Sequence, residues 1–398
     1  MTNPCTSNEA EQESRVPPPL RYIEFYAGIG GWSLALQQVV QHRRLECCAA
    51  WDHSDLCVRV CQHNGLSVCR QQRIELITVV PVADVWVLSP PCQPHTRQHT
   101  HQDAELQDSR SQSFLHICRL LQEQPLQNKR PRCILLENVV GFEASQSCRV
   151  YWRRAVHGYV LAHFHLTPTQ VGMPNDRPRY YCVAVQRDCW AATTAPWAAY
   201  FNDDPERDSN QKKDASFTVH TSLPELGVVP IDHVDLTKIP TISTFLDDDS
   251  TNTDSLIIPP AVLQRSSSWC LDIVAPTSRR SSCFTSGYGK YMRGTGSVLL
   301  LEEKKTGGGG DTTTTPSLQD PHDRQFDPQW AAGLGNATVR YFSGAELTRL
   351  MGLASSSFSF PPDCTTKQQW KLVGNSVHVD VVAKIVQLGL LAMGENPG

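Results

Sequence analysis

The sequence predicts an α/β fold in which a mostly parallel sheet is flanked by helices and a smaller domain is inserted before the last helices. Three observations support this prediction. A strand, a glycine turn and a helix follow one another near the start of the chain, and strand-like runs then alternate with helical patterns as far as Trp190. Beyond Trp190 the chain becomes acidic and rich in loop residues, and helical periodicity returns at Ser343.

The composition is that of an ordinary globular protein. Of its 398 residues, 40% are hydrophobic and 19% are charged, and the formal net charge of −4 argues against a protein that grips duplex DNA through bulk positive charge. The 15 cysteines follow no fixed spacing and no apolar signal segment precedes them, so we expect free thiols in the cytoplasm or nucleus. We also expect a monomer without a membrane span.

The changes of composition along the chain predict four segments. They are a disordered tail over residues 1–20, a main domain over residues 21–190, an insert with mobile loops over residues 191–336, and a return to the main domain over residues 337–398.

The first predicted strand, residues 21–27, leads into Gly28-Ile29-Gly30-Gly31 and a helix over residues 32–40. Glycines at this point let a ligand approach the backbone at a helix N-terminus, as in nucleotide-binding folds. The third glycine of the dinucleotide fingerprint is missing, so a purely structural turn is the alternative.

The second predicted strand, residues 46–51, ends in Asp52 and His53. A carboxylate about twenty residues past a glycine turn is placed to accept the hydroxyl groups of a ribose. The alternative is that Asp52 is the N-cap of a helix over residues 55–64. A third strand is predicted near residues 74–80.

The apolar run over residues 84–88 stops at Ser89-Pro90-Pro91-Cys92-Gln93. Two prolines cannot continue a central strand, so the Cys92 thiol is presented on a stiff turn at the edge where open α/β sheets bind ligands. The alternative is that Cys92 only packs, as most free cysteines do.

Residues 95–110, which follow this turn, are polar and resemble an active-site loop. The loop contains His95, His99 and His101, but no second pair of ligands stands at the spacing of a zinc site. We therefore expect no metal.

Charged residues follow two further predicted strands. Glu137 comes directly after the apolar run Cys133-Ile134-Leu135-Leu136, on the same edge as Cys92, where a charge must be paired or used. Arg177 and Arg179 lie between strands predicted over residues 159–166 and 180–185. Two arginines spaced by one residue can both face a phosphate or a carbonyl oxygen.

Five short motifs, in this order along the chain, resemble those of the cytosine-C5 methyltransferase family. They are Phe25-Tyr26-Ala27-Gly28-Ile29-Gly30-Gly31, Ser89-Pro90-Pro91-Cys92-Gln93, Glu137-Asn138-Val139, Arg177-Pro178-Arg179 and Gly374-Asn375-Ser376-Val377. Cys283-Phe284-Thr285 narrows the resemblance to the tRNA methyltransferases that look like DNA methyltransferases. The resemblance implies a Rossmann-like methyltransferase fold whose insert is a small target-recognition domain.

The resemblance also implies a reaction, the transfer of a methyl group from S-adenosyl-L-methionine to cytosine C5. Cys92 would add to C6, because C5 is a poor nucleophile until C6 carries a thiolate. Glu137 would hold N3 and the exocyclic amine and supply a proton. Arg179 would bind the O2 carbonyl, with Arg177 on a phosphate or supporting the loop.

For the methyl donor, the resemblance implies contacts of Phe25 and His53 with the adenine, of Asp52 with the ribose, and of Ile29-Gly30-Gly31 with the methionine end. Further positions match family contacts with the cofactor: Ile74, Glu75, Ser89, Asn375 and Ser376.

The resemblance also implies the substrate, cytosine 38 in the anticodon loop of tRNA-Asp. A loop nucleotide is easier to extrude than a paired one, which agrees with this substrate. A DNA cytosine methyltransferase with the same chemistry is the first alternative. A non-catalytic binding protein is the second, and the intact Cys92, Glu137 and Arg179 disfavour it. A nicotinamide dehydrogenase would share the glycine turn and the ribose acid, but not the Pro-Pro-Cys turn.

Overall fold

The computed structural model describes residues 17–91, 109–123, 130–191, 194–205, 217–248, 253–301, 338–353 and 358–396. Its centre is an eight-stranded sheet in the order β3-β2-β1-β4-β5-β7-β6-β8. The strands are β1 (Leu20–Phe25), β2 (Leu45–Asp52), β3 (Cys69–Gln71), β4 (Val85–Leu88), β5 (Cys133–Asn138), β6 (Tyr159–Leu166), β7 (Arg179–Gln186) and β8 (Val219–His220).

Neighbouring strands from β3 to β5 are parallel, and β7 runs antiparallel to both β5 and β6. The helices are α1 (Gly31–Val39), α2 (Asp55–His63), α3 (Ser109–Glu123), α4 (Arg153–Ala155), α5 (Pro260–Leu263), α6 (Gly344–Leu350), α7 (Thr366–Gly374) and α8 (Val379–Ala392). The predicted α/β fold with a mostly parallel sheet is confirmed.

Helices cover both faces of the main sheet, as the strand β4 illustrates. Val85 and Val87 join the core that contains α1 and α8, whereas Trp86 and Leu88 join the core that contains α3. A strand buried on both faces needs apolar residues at every position, which is why the sequence of β4 does not alternate. Full burial of one such aliphatic side chain is worth roughly 1.5–3 kcal/mol relative to exposure.

One sequence-based prediction and one of the alternatives are wrong. Ile74–Leu76 forms a 3-10 helix instead of a strand, and the third strand is β3, whose single buried residue, Cys69, gives no apolar pattern to detect. Asp52 is not the N-cap of α2, because the Ser54 hydroxyl accepts the Cys57 N–H and caps that helix.

A second sheet, in the order β11-β10-β9, lies in the insert. Its strands are β9 (Asp272–Val274), β10 (Ser297–Leu300) and β11 (Val339–Arg340), and it has its own small core around Ile273 and Val298. The ends of the predicted insert are shared between the two sheets. The strand β8 pairs with β6 of the main sheet, and β11 lies beyond residue 336.

The C-terminal segment returns to the start of the chain. The helix α8 packs on α1, and Glu395 pairs with Arg43 at 2.8 Å and with Arg132 at 2.6 Å. Thr366–Ala392 is long and apolar enough to cross a membrane, but 72% of its most apolar window is buried inside the protein. It is therefore a core segment.

Candidate active site

The glycine turn connects β1 to α1 in a conformation that suits glycine. Gly28 and Gly30 have φ of 55° and 84°, in the left-handed region that other residues rarely adopt. A Cβ on Gly31 would lie 2.6 Å from Val377 Cγ2 and 3.3 Å from Ser376 Oγ. The motif around Ser376 therefore packs directly on the glycine turn, although the two are distant in the sequence.

Asp52 is fixed beside this turn at the end of β2. One carboxylate oxygen accepts the Gly28 N–H at 2.9 Å and the other accepts the Ser54 N–H at 2.8 Å. Each oxygen keeps a further lone pair for a ribose hydroxyl. His53, whose side chain is 78% exposed, lies next to Asp52 and is open to a ligand.

The other predicted cofactor residues differ in exposure. Phe25 is enclosed between Trp51 and Trp86, with both ring centroids at 5.1 Å, and has no exposed surface, so its contact with adenine stays a prediction. Tyr26, the residue after Phe25, is partly exposed, has φ of 57° and forms the start of the glycine turn. Ile74 is buried, and Glu75 pairs with Arg73 at 2.6 Å.

The Pro-Pro turn is held against the end of β5. Leu88 and Leu136 are partners in the parallel pairing of β4 with β5, and Asn138 donates its side-chain amide to the Pro90 carbonyl at 3.3 Å. Ser89 accepts the indole N–H of Trp32 at 2.8 Å. Pro91 is the last residue described before a gap. Cys92, His95, His99 and His101 lie outside the described residues.

Glu137 and Arg179 form an ion pair, with 3.3 Å between Glu137 Oε1 and Arg179 Nε. Glu137 is the register partner of Tyr181 in β7, and Arg179 lies two residues before Tyr181 on the same face. Burial raises the pKa of Glu137, and the opposing charges of Arg179 and Arg177 and the Ser89 hydroxyl do not cancel this effect. The carboxyl group is therefore held closer to its protonated form than an exposed glutamate.

Arg177 is buried and its guanidinium group binds backbone carbonyls. It donates to Phe284 O at 2.6 Å, Gly374 O at 3.0 Å and Ser376 O at 2.7 Å. These bonds join the insert to the C-terminal motif. They correspond to the loop-supporting alternative predicted for this residue, and a phosphate would have to displace them.

Cys283 is the residue whose role the sequence did not reveal. Its sulfur lies 3.3 Å from Arg177 Nη1 and 3.7 Å from Arg179 Nη2. Burial acts to raise the pKa of the thiol, but the two guanidinium groups outweigh it and hold the pKa below its ordinary value. The Cys-Phe-Thr motif was visible in the sequence, but only the fold brings it to the arginines.

The described residues contain no group of three or more histidines, cysteines or acids that could hold a metal ion. They do fit a ligand with a ribose and a charged tail. The glycine turn offers backbone without side chains, Asp52 offers acceptors, and the Ser376 motif packs on the turn from the C-terminal side.

Four similarities to known proteins bear on this geometry. The family model for C-5 cytosine-specific DNA methylases matches residues 20–388. The tRNA (cytosine(38)-C(5))-methyltransferase of Homo sapiens is 32% identical over 405 residues, which cover 93% of this chain and 99% of the relative. The DNA (cytosine-5)-methyltransferase of Dictyostelium discoideum is 29% identical over 401 residues, or 93% and 94% of the two chains. The crystal structure of the S. pombe Dnmt2 methyltransferase matches with a TM-score of 0.66 and 25% identity, over 94% of this chain and 98% of that one.

Proposed function

This chain belongs to the C-5 cytosine-specific DNA methylase family, and on that premise we propose that it methylates C5 of cytosine 38 in the anticodon loop of a tRNA. The expected tRNA is tRNA-Asp and the expected methyl donor is S-adenosyl-L-methionine. The observation that supports this most directly is the Glu137–Arg179 ion pair, whose side chains are only 11% and 16% exposed, beside the turn that leads to Cys92. Its two side chains offer complementary groups to one edge of a pyrimidine.

The preference for tRNA over DNA follows from the relatives and from charge. The human relative is named as a tRNA methyltransferase, and it covers nearly all of this chain. The Dictyostelium relative is named as a DNA enzyme, so DNA is the alternative substrate. A net charge of −4 is better suited to local contacts with a folded RNA loop than to a continuous grip on a duplex.

The residues that would hold the cofactor are Asp52 and His53, at the nucleoside, and the backbone of Gly30, Gly31 and Ser376, at the methionine end. S-adenosyl-L-methionine, when bound, supplies an electrophilic methyl group on a positively charged sulfur. Burial of Asp52 and its two backbone donors fix the carboxylate before the ligand arrives, which reduces the entropy lost on binding.

Cys92 would begin the reaction by forming an S–C6 bond to the flipped cytosine. As this bond forms, electrons move from the ring double bonds to N3, and Glu137 delivers a proton there. The raised pKa of Glu137 suits a donor that must be protonated near neutral pH. Arg179 would donate to O2 and offset the charge that develops on the ring.

C5, now enamine-like, takes the methyl group. The C5 proton would then pass to water, its electron pair would restore the C5–C6 double bond, and the S–C6 bond would break. N3 would return its proton to Glu137 and Cys92 would return to the thiolate, so the protein is unchanged after one turnover.

Methylation of two substrates in parallel tests the proposal. The protein is incubated with radiolabelled methyl donor and either a tRNA-Asp transcript or duplex DNA, and bisulfite sequencing locates the modified base. We expect incorporation at cytosine 38 of the tRNA and none with Cys92→Ala. Incorporation into DNA alone would contradict the tRNA reading, and unchanged activity of Cys92→Ala would exclude Cys92 as the nucleophile.

A further inference from the structure

Residues 286–294 form a loop, here called the Tyr291 loop, that starts beside the candidate active site. It follows Cys283-Phe284-Thr285, and Cys283 contacts both Arg177 and Arg179. The Thr285 N–H bonds to the Thr295 carbonyl at 3.0 Å and closes the loop at its base.

The base of this loop is anchored in the core. The Tyr288 hydroxyl donates to Ser297 O at 2.7 Å, and a Cβ on Gly289 would lie 2.3 Å from Trp370 Cζ3. Gly374, next to the predicted cofactor residue Asn375, touches the Thr285 backbone so closely that a Cβ would lie 2.2 Å from it. Because its base is packed in this way, the loop projects its tip from a fixed position.

The tip presents an aromatic ring to solvent. Tyr291 is 59% exposed and is the only exposed Phe, Tyr or Trp side chain in the described part of the chain. The Thr295 hydroxyl donates to the Tyr291 carbonyl at 2.7 Å, and a Cβ on Gly287 would lie only 3.0 Å from Tyr291 Cδ2. The absence of a side chain at Gly287 leaves room for the ring against the loop, which limits its motion.

Two cationic residues lie within two positions of Tyr291 in the sequence of the loop. Lys290 Nζ lies 5.0 Å from the centroid of the Tyr291 ring, and Arg293 is exposed two residues further on. An ammonium group near one face of the ring leaves the opposite face for another flat group. An exposed aromatic ring with adjacent positive charge is the combination with which proteins bind unpaired nucleotides.

We propose that Tyr291 stacks on an unpaired base of the RNA loop next to the target cytosine, with Lys290 and Arg293 on the adjoining phosphates. This inference rests on the proposed function, since it requires an RNA loop at the active site. Extrusion of the target base exposes the faces of its neighbours. A ring on a loop that begins next to Cys283, which contacts Arg177 and Arg179, is placed to cover one of them. Duplex DNA keeps its other bases stacked and offers no equivalent face.

The test compares the full-length wild-type protein with Tyr291→Phe, Tyr291→Leu and Tyr291→Ala on a tRNA-Asp transcript. We expect Tyr291→Ala and Tyr291→Leu to weaken tRNA binding about tenfold, since the stacking contribution of one base is of that order. Tyr291→Phe keeps the ring and should bind within about twofold of wild type. The methylation rate at saturating tRNA should be unchanged in all three.

The charges are tested by the double variant Lys290→Gln/Arg293→Gln. Loss of two phosphate contacts on a single strand should lower the slope of log affinity against log salt by about 1.4. Arg154→Gln is the matched control, because Arg154 is exposed near the start of β6, at the opposite edge of the sheet from Glu137. It should change neither the slope nor the affinity.

Wild-type tRNA affinity in both Tyr291→Ala and Tyr291→Leu would overturn the inference. The exposed ring would then be assigned to a contact with another protein. Equal losses on tRNA and on duplex DNA would also overturn it, because stacking requires an unpaired base. If the wild-type protein methylates tRNA while the Tyr291 variants bind normally, only this inference fails. If the wild-type protein neither binds nor methylates tRNA, the proposed function fails with it.

Discussion

Glu137 shows how one residue can be given a chemical role by its surroundings. Its carboxyl group lies at the end of a buried strand, beside a guanidinium group that never loses its charge. Burial favours the protonated acid and Arg179 favours the carboxylate, and the net effect is a raised pKa. A group balanced in this way can deliver a proton to N3 and recover it later in the cycle.

Glu137→Gln should therefore lower the rate of methylation by about 10²–10⁴-fold, the usual contribution of a positioned acid. The amide can still form hydrogen bonds with the cytosine, so tRNA binding should change little. Single-turnover assays measure this rate, and Glu46→Gln, at a half-exposed acid that pairs with Arg21, is the control. A residual rate within tenfold of wild type would exclude Glu137 as the proton donor.

The pH dependence follows from the same pKa. The wild-type rate should fall as the pH rises through the raised pKa of Glu137, because the proton donor is then lost. Glu137→Gln should lack this decline. A decline of equal size in both proteins would assign it to another group.

Cys283 should be the reactive thiol among the cysteines of the described part of the chain. Two guanidinium groups lower its pKa, whereas burial raises the pKa of the similarly half-buried Cys57 to about 12. At pH 7.5, iodoacetamide should thus modify Cys283 well before Cys57, as mass spectrometry of digested protein can follow. Arg179→Gln should slow the labelling of Cys283. Faster labelling of Cys57 would show that the arginines do not activate the thiol.

At the scale of elements, three segments meet at Arg177, which lies just before β7. Its guanidinium group binds carbonyls from the insert and from the end of α7 and the turn after it. The Gly31 contact with Val377 adds a second junction between the C-terminal motif and the start of α1. The catalytic edge therefore depends on the packing of the insert as well as on the main sheet.

Arg177→Ala should lower the free energy of unfolding by about 3 kcal/mol, because it leaves several buried carbonyls without donors. Urea denaturation measures this change. Arg177→Lys keeps the charge but not the geometry of the guanidinium group, so its free energy of unfolding should lie between those of wild type and Arg177→Ala. The exposed Arg154→Ala should stay within about 0.5 kcal/mol of wild type. A similar small change in Arg177→Ala would show that the junction is not important for stability.

Elements with a strong local signal were predictable from the sequence. The apolar runs of β4, β5 and β6 were found, and Ser343 caps α6 with the predicted capping box. The strand β3 and the helix α7 were missed because both are short and mostly polar. The capping box of Thr365 with Gln368 was the available signal for α7.

The candidate site was only partly predictable for a physical reason. Glu137 and Arg179 could be assigned by motif, since Glu137 lies near the end of the apolar strand β5 and Arg179 is the first residue of the apolar strand β7. The contact of Cys283 with Arg179 joins residues 104 positions apart, and the orientation of the Tyr291 ring depends on Gly287 within an irregular loop. Neither periodicity nor spacing encodes such contacts.

At the scale of the whole molecule, Glu24 links global stability to pH. It lies fully buried in β1, where it accepts the Trp32 N–H at 3.3 Å and the Ser33 hydroxyl. Burial, only partly offset by these donors, raises its pKa to about 7. Between the ordinary glutamate pKa and this value the folded protein holds the proton more tightly than the unfolded chain, so stability falls as the pH rises through this window.

Glu24→Gln should remove this dependence. The free energy of unfolding of the variant, relative to wild type, should increase by about 3 kcal/mol between pH 4.5 and pH 8. The comparison of variant with wild type separates the effect of Glu24 from that of His378. The pKa of His378 is lowered to about 3, so its contribution to stability is lost as the pH falls below 6.5, not as the pH rises. Urea denaturation at several pH values gives the difference. A difference in the free energy of unfolding that does not change with pH would contradict the claim that burial raises the pKa of Glu24.

The central claim is that Cys92 attacks C6 of a cytosine held by Glu137 and Arg179. A tRNA-Asp anticodon stem–loop with 5-fluorocytosine at position 38 tests it directly, because fluorine at C5 cannot leave as a proton does and the S–C6 bond persists. With methyl donor present, we predict a covalent complex on a denaturing gel and a nucleotide adduct on the Cys92 peptide. An adduct on Cys283, or an unmodified protein that still methylates the ordinary stem–loop, would contradict the claim.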